Sequence, residues 1–521
     1  MTPMKKPRIR WKRWMYPVFQ RRVFVFTAVL VQFALLFYMF WTGITTVRWM
    51  YLALTLVSGA AVIAIIARRK ETVYKLPWVI LIALMPAFGG ILFLLIHGQA
   101  SQKKFARRLE EVDALLAPYF PQDPDTAARF AGTERGSLQR VRYLSRHNFP
   151  LYDAADTLFF PSGEEMFERL CAELEKAERF IFFEFFIIAD GEMWDKVHEI
   201  LRRKAAAGVE VRVVYDDLGC LLRLPHRYDL TLEAEGIKAI LFNPFRPVVS
   251  TVQNNRDHRK IVVVDGRVAF TGGVNIGDEY INRVERYGHW NDTALLVTGD
   301  AVRAFTGIFL QLWLCSRPED EGDLARFFPS AAPAEPDEPR RGFVQPYGDT
   351  PLDGETVGAW VYDQILRTAT DYVWITTPYL IIDDTLCNAL MLAAKSGVDV
   401  RIVTPGIPDK KIVSTVSRSY YLALLEAGVR IYEYTPGFLH AKMFLSDDRT
   451  ATVGTINLDY RSLYLHFECG AWMTDTEAIS PIKDYFTALF PICREITEEE
   501  MRRNYSLRIL GALLQPFAPF L

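Results

Sequence analysis

The sequence predicts an α/β protein: N-terminal transmembrane helices followed by two repeated mixed α/β sandwich domains. Three observations lead there. Charge is absent from three long runs in the first hundred residues. Helical and strand-like stretches alternate from residue 155 onward. Several segments recur in the same order about 190 residues further on.

Composition narrows the function. The chain has 521 residues, 50% of them hydrophobic and 23% charged, which excludes bulk disorder. A formal charge of −2 argues against a general nucleic-acid binder, which carries a basic surplus. Six cysteines stand scattered without C-x-x-C spacing, so neither a disulfide framework nor a cysteine zinc site is expected.

Taken in order, residues 1–22 form a basic tail with eight Lys/Arg and no acid. Residues 23–98 are read as an anchor of two to three transmembrane helices. The runs 23–47, 49–67 and 76–96 carry no charge, and about 20 apolar residues span a bilayer core. A signal peptide has a shorter apolar core and is not followed at once by a second run. Lys and Arg number twelve on one side of this arrangement and five on the other. The basic side belongs inside, which places residues 100–521 on the extracytoplasmic face of a multi-pass cell-membrane protein. Residues 99–154 read as a polar, partly helical connector with a Pro-rich break at 118–124.

The first domain is expected over 155–316. Residues 164–179 have helical spacing, 180–188 are β-rich, 193–207 are helical, and 209–215 alternate as a strand. Ala207-Gly-Val-Glu-Val-Arg-Val-Val214 returns as Ser396-Gly-Val-Asp-Val-Arg-Ile-Val403. Leu232-Glu-Ala-Glu-Gly-Ile-Lys238 returns one residue shorter as Leu425-Glu-Ala-Gly-Val-Arg430. Residues 317–341, with five prolines and seven acids, read as the linker between halves. The second domain fills 342–521, and its apolar end, 507–521, is expected to pack against the domain.

Each half contains H-x-K-x(4)-D: His258-Arg-Lys260-Ile-Val-Val-Val-Asp265 and His440-Ala-Lys442-Met-Phe-Leu-Ser-Asp447. In a β-rich segment, side chains two apart share a face, so each histidine projects with its lysine. Asp265-Gly266 is a hairpin-turn pair and Asp447-Asp448 takes the same place, which makes these aspartates organisers of a turn. Downstream lie Thr271-Gly-Gly-Val-Asn275 and Val453-Gly-Thr-Ile-Asn457. Glycines there let backbone approach a ligand, and Asn275 and Asn457 supply amide donors for phosphate oxygens.

One histidine, one lysine and one asparagine per half predict a single site on a pseudo-two-fold axis. Its donors form an anion cage suited to a phosphodiester. One histidine attacks phosphorus and the other protonates the leaving alkoxide. His258 is expected to be the nucleophile. Each imidazole needs an acceptor on its other nitrogen, and Asp292 and Glu468 are the acids that follow the motifs. The sequence shows no metal-ligand constellation, so no metal and no cofactor are expected.

The two H-x-K-x(4)-D motifs resemble the signature of the phospholipase D superfamily. Thr377-Pro-Tyr379, Phe438-Leu-His-Ala-Lys442, Asn457-Leu-Asp-Tyr-Arg-Ser462 and the hydrophobic N-terminus are similar to its bacterial cardiolipin synthases, over about residues 50–521. The resemblance implies two phospholipase D-like mixed α/β domains whose sheets meet at the catalytic histidines. It implies transfer of a phosphatidyl group between two phosphatidylglycerol molecules, with release of glycerol, at an anionic lipid bilayer. Carried over, His258 and His440 are nucleophile and acid/base. Lys260, Lys442, Asn275 and Asn457 hold phosphate, Asp292 and Glu468 orient the imidazoles, and Asp265 and Asp447 complete the motifs. Thr455 departs from the usual serine, His466 from the usual asparagine, and an additional first span precedes the usual two. A hydrolase using water, or a transferase using another alcohol, is the alternative; a nuclease is disfavoured by the spans and the charge balance.

Overall fold

The structure is a computed structural model. It describes residues 48–67, 72–84, 100–133, 138–153, 155–245, 251–329 and 342–520, with Ala34, Tyr38 and Phe93. These fall into two units, residues 1–99 with 246–251, and residues 100–245 with 252–521.

In the first unit the second apolar run forms the helix Arg48–Ala67, and the third begins as the helix Thr72–Leu84. Ala61, Ile65, Ile82 and Phe93 are buried together, with Trp78 and Val79 against them. Among the described residues no helix is long and apolar enough to cross a membrane. Several side chains of Arg48–Ala67 fall outside that set, as do most of residues 23–47 and 85–98. The spans therefore stand as an expectation from the sequence.

The second unit carries the predicted repeat. Its first half contributes β1 (Thr157–Phe160), β2 (Phe180–Phe185), β3 (Glu210–Asp216), β4 (Lys238–Phe242), β5 (Lys260–Val264), β6 (Val268–Gly272), β7 (His289–Asn291) and β8 (Ala294–Thr298). The second contributes β9 (Phe343–Asp349), β10 (Tyr372–Thr376), β11 (Leu380–Ile381), β12 (Asp399–Pro405), β13 (Arg430–Tyr434), β14 (Gly437–Leu439), β15 (Met443–Ser446), β16 (Thr450–Gly454), β17 (Leu458–Asp459), β18 (Glu468–Thr474) and β19 (Cys493–Ile496). The first sheet runs β1-β8-β6-β5-β2-β3-β4 and the second β19-β13-β12-β10-β15-β16-β18-β9. Read from opposite ends they match strand for strand, with β19 added at an edge. In both, three strands pair in parallel (β2-β3-β4 and β10-β12-β13), and the motif strand joins them antiparallel.

Every residue of β2, β5, β15 and β16 is buried, as expected for a sheet covered on both faces. The halves share one core. Phe182, Val263, Ala269 and Val297 of the first sheet and Met443, Leu445, Val453 and Ala471 of the second belong to a single cluster with Phe305, Phe309 and Trp313 of the helix Val302–Ser316.

Two expectations about the flanks need correction. The connector is not a polar spacer. Leu109, Val112 and Leu116 of the helix Ala100–Leu116 are buried, two of them in that shared core, because they recur at helical spacing beneath a polar average. Phe130 packs edge-on to Phe343 and Trp472 at 5.1 and 5.9 Å. Likewise the acidic linker packs a core where it was expected to be unable to. Leu324, Phe327 and Phe328 are buried, and Phe327 lies 5.0 Å from both Phe180 and Phe182. An average over five prolines and seven acids hid three apolar side chains; residues 330–341 lie outside the described set. The C-terminal helix Tyr505–Leu514 meets the helix Lys411–Glu426 where Gly511 faces Ser419, leaving Ile509 and Leu513 exposed.

The motif aspartates hold the turns and strand entries of the sheets. Asp265 and Gly266 have φ of 55° and 66°, and Asp447 and Asp448 have 54° and 57°, as a tight hairpin turn requires at both central residues. Asp265 accepts from the N–H groups of Glu178, Arg179 and Phe180 at 2.8–2.9 Å, fixing the entry to β2. Asp447 accepts from those of Thr370, Asp371 and Tyr372, each at 2.9 Å, fixing the entry to β10. Seven residues of extended chain, roughly 23 Å, separate each from its histidine. Asp265→Ala is expected to lower unfolding free energy by about 1–3 kcal/mol, since three N–H groups lose their acceptor. Asp447→Ala should cost less, because Asp447 is half-exposed and water can substitute. Urea unfolding in detergent measures both. Native stability with abolished turnover would instead make the aspartates part of the chemistry.

Candidate active site

Backbone pairing between the halves sets the site. Strand β7 pairs in parallel with β14, with Asn291 opposite Leu439. The N–H of His440 then donates to the carbonyl of Asn291 at 2.7 Å. The equivalent pairing sets Asp257 opposite Phe467, and the N–H of His258 donates to the carbonyl of Phe467 at 2.9 Å. Each histidine is thus held opposite the residue just before an acid of the other half. His440 Nδ1 lies 2.6 Å from Asp292 Oδ2. His258 Nδ1 lies 2.8 and 3.0 Å from the two oxygens of Glu468. The expected orienting acids are in place, exchanged between the repeats.

Their surroundings differ. Gly273 makes room for Asp292, since a Cβ there would stand 1.9 Å from Asp292 Oδ1. The glycine turn therefore admits a carboxylate, whereas the sequence suggested a ligand. At the matching place in the second half, Thr455 donates its hydroxyl to Glu468 Oε2 at 2.5 Å. That threonine keeps the hydroxyl of the serine it departs from. Aromatic rings wall both dyads. Phe186 and His466 flank His258 at 5.0 and 5.5 Å, and Trp290, Tyr280 and Phe438 flank His440 at 5.5, 5.7 and 5.8 Å. Sequence reasoning gave Phe186, Tyr280 and Trp290 no role, although Phe438 sits within a segment it singled out and His466 was noted as a departure.

Lys260 Nζ donates to the carbonyl of His258 at 2.6 Å, and Lys442 Nζ to that of His440. An ammonium has three protons, so each lysine keeps donors for a ligand. The asparagines are not equivalent. Asn275 is engaged by the protein: its oxygen accepts from the Ile187 N–H at 3.1 Å and its amide donates to the Tyr280 hydroxyl at 2.9 Å. Asn457 is buried with its side-chain oxygen unpartnered. Folding also gathers residues that lie apart along the chain: His258, His466 and Glu468 bring one ligand atom each to within 4.8 Å of one another.

Burial governs the charges. It pulls Lys260 down to about 8 and Lys442 to about 7. His440 falls to about 4 through burial and the charge of Lys442. His258 is driven well below the usual imidazole range by burial, then by Lys260, His466 and Lys442. Burial pushes Asp292 up, but His440 and Lys442 outweigh it and hold the carboxyl below its usual range. Glu468 goes the other way: burial raises it well above, and Lys260 and Thr455 offset only part. The site is therefore short of protons until an anion enters. His440 stands beside an ionised aspartate and His258 beside a carboxyl pushed toward neutrality.

Lysines must be protonated to hold phosphate. Lys442 loses that proton in the free site near pH 7 and Lys260 near pH 8, so kcat/KM is expected to fall from about pH 7 upward, by up to tenfold per unit for each lysine titrating. Initial rates between pH 6 and 10 test this; a flat profile to pH 10 would mean that the lysines stay charged without substrate.

Residues 170–313 and 362–490 match the family model described as cardiolipin synthase, phospholipase D-like domain. An uncharacterised protein of Streptococcus mutans is 41% identical over 463 residues, 88% of this chain and 99% of its own. A cardiolipin synthase of Geobacillus thermodenitrificans is 35% identical over 459 residues, 87% of this chain and 90% of its own. In fold, the chain is similar to a phosphatidylserine synthase of Haemophilus influenzae, with a TM-score of 0.55 and 16% identity over 73% of this chain and 97% of the other. The duplicated fold, the crossed histidine–acid pairs and these matches agree: the chain belongs to the cardiolipin synthase-like family of the phospholipase D superfamily.

Proposed function

We propose that the protein converts two molecules of phosphatidylglycerol to cardiolipin and glycerol through a phosphohistidine at His258, and that it works at the surface of the membrane in which residues 23–98 anchor it. The observation that carries this reading is the pair of crossed dyads with two lysines in one buried site. A nucleophile must be an unprotonated imidazole and a general acid must carry a proton. Asp292, held ionised, stands on His440 and favours its protonated form, whereas Glu468, pushed toward neutrality, stands on His258.

In the first half-reaction His258 Nε2 forms a bond to phosphorus, and the bond from phosphorus to the glycerol oxygen breaks. His440 Nε2 gives its proton to that oxygen. In the second, a hydroxyl of the incoming lipid gives its proton to His440 Nε2 as its oxygen bonds phosphorus. The phosphorus–nitrogen bond breaks and its electron pair returns to His258. Glu468 holds the Nδ1 proton of His258, so that Nε2 carries the lone pair. Lys260, Lys442 and the amide of Asn457 take the phosphoryl oxygens, while Asn275 keeps Tyr280 and the end of β2 in place. The catalytic unit belongs on the extracytoplasmic side by the distribution of Lys and Arg around the apolar runs.

Mutation separates the roles. His258→Ala and His440→Ala should each remove nearly all turnover, and the double variant should be little worse, since groups acting as a unit are non-additive. A phosphatidyl adduct trapped on His440 would reverse the assignment.

The reaction itself is tested with purified protein, phosphatidylglycerol micelles and excess EDTA. Mass spectrometry should show cardiolipin, with free glycerol in equal amount and little phosphatidic acid. Added glycerol should drive the reaction backward, because the bonds broken and formed are alike. Phosphatidic acid as the dominant product would make the protein a hydrolase, and loss of activity restored by one metal would end the metal-free mechanism.

A further inference from the structure

We infer that His466, Glu468 and His258 form a binding site for a divalent transition-metal ion, of the Zn2+ class, which silences the enzyme when filled. All three side chains are buried, and one ligand atom from each lies within 4.8 Å of the others. Glu468 Oε1 is 2.8 Å from His258 Nδ1 and 3.7 Å from His466 Nδ1. Zinc bonds of about 2.0–2.2 Å set tetrahedral ligands roughly 3.3 Å apart, between the two distances from Glu468, and small movements of the rings would bring the set together. Two imidazoles and one carboxylate are a zinc donor set that leaves a fourth position open.

His466 supplies the independent observation. It is 9% exposed, and both of its ring nitrogens are buried without a hydrogen-bond partner. Buried polar atoms are normally paired, and an orphan calls for an explanation such as an ion. The backbone that carries the ring is fixed, since its N–H bonds the Arg461 carbonyl at 2.9 Å and the next residue, Phe467, is paired with Asp257. Two imidazole donors favour an ion that bonds nitrogen strongly over a hard, oxygen-seeking cation such as Mg2+.

Filling the site would stop the reaction. The ion takes Nδ1 of His258, releases the proton there, separates the ring from Glu468 and draws electron density from the nucleophile. Asparagine, the residue the family pattern carries at this position, removes one ligand and no catalytic group.

The test uses the full chain in detergent, freed of metal with EDTA. Co2+ is the spectroscopic probe and Zn2+ the inhibitor. We expect visible d–d absorption of a four-coordinate site, saturating at one Co2+ per chain and displaced by Zn2+. His466→Asn should weaken Co2+ binding by about tenfold or more. It should also be at least about tenfold less sensitive to Zn2+, relative to its own uninhibited rate. His466→Gln makes the same comparison if the asparagine variant shows a lowered urea transition. Absent Co2+ bands, or bands and Zn2+ sensitivity unchanged in these variants, would overturn the inference. The spectrum is independent of the lipid product, so a failure of the proposed reaction is read separately from a failure of the metal site.

Discussion

The exchange of acids between the repeats is the constraint on which the rest depends. Neither half alone contains a histidine with its orienting carboxylate. Two short parallel pairings, Asn291 with Leu439 and Asp257 with Phe467, fix the exchange at the level of the backbone. The shared core serves the same end. Rings of the helix Val302–Ser316 pack in one cluster with residues of both sheets, so sliding one half against the other would break the core and both dyads together. Such a core resists small shifts, which suits chemistry that loses rate with misplacement of about an ångström.

Burial then dictates the electrostatics. Two ammonium groups, two imidazoles and two carboxyls sit where charge is costly. Each lysine spends one donor on the carbonyl of its own motif histidine, which fixes its direction. The lysines fall toward neutrality in the free site, and an entering phosphodiester supplies the counter-charge that restores them. Recognition of the anion and assembly of the charged catalytic state are thereby one event.

Much of this was legible along the chain. The repeat offset foretold two sheets of one strand order, because pairing follows the buried β pattern. The Asp-Gly and Asp-Asp pairs foretold turns, because few residues adopt positive φ twice in succession. The exchange of acids was not legible. Spacing along a chain relates Asp292 to His258 and Glu468 to His440, and only the packing of halves reverses that. The engagement of Asn275 by Tyr280 and Ile187 was hidden for the same reason. The connector and linker were misread through averaging, since Leu109, Val112, Phe327 and Phe328 are few among charged neighbours.

Duplication gives two equivalent dyads, yet displacement at phosphorus needs two different roles. The difference lies in the residues around each acid. Trp290 and His466 both stand two residues before the acid, and each ring lies 5.5 Å from the histidine it flanks. Asp292 is short and fits against the bare backbone of Gly273, where His440 and Lys442 keep it ionised. Glu468 is longer by one methylene and leans on the hydroxyl of Thr455 for its second oxygen, and burial pushes it toward neutrality. An ionised partner favours the protonated imidazole, and a carboxyl pushed toward neutrality favours the unprotonated one. A near-symmetric backbone therefore carries an asymmetric pair of acids, the asymmetry on which the proposed roles of His440 and His258 rest. The substitutions that break the symmetry, glycine against threonine and aspartate against glutamate, lie one contact away from the histidines, where they bias the direction of transfer without altering the groups that perform it.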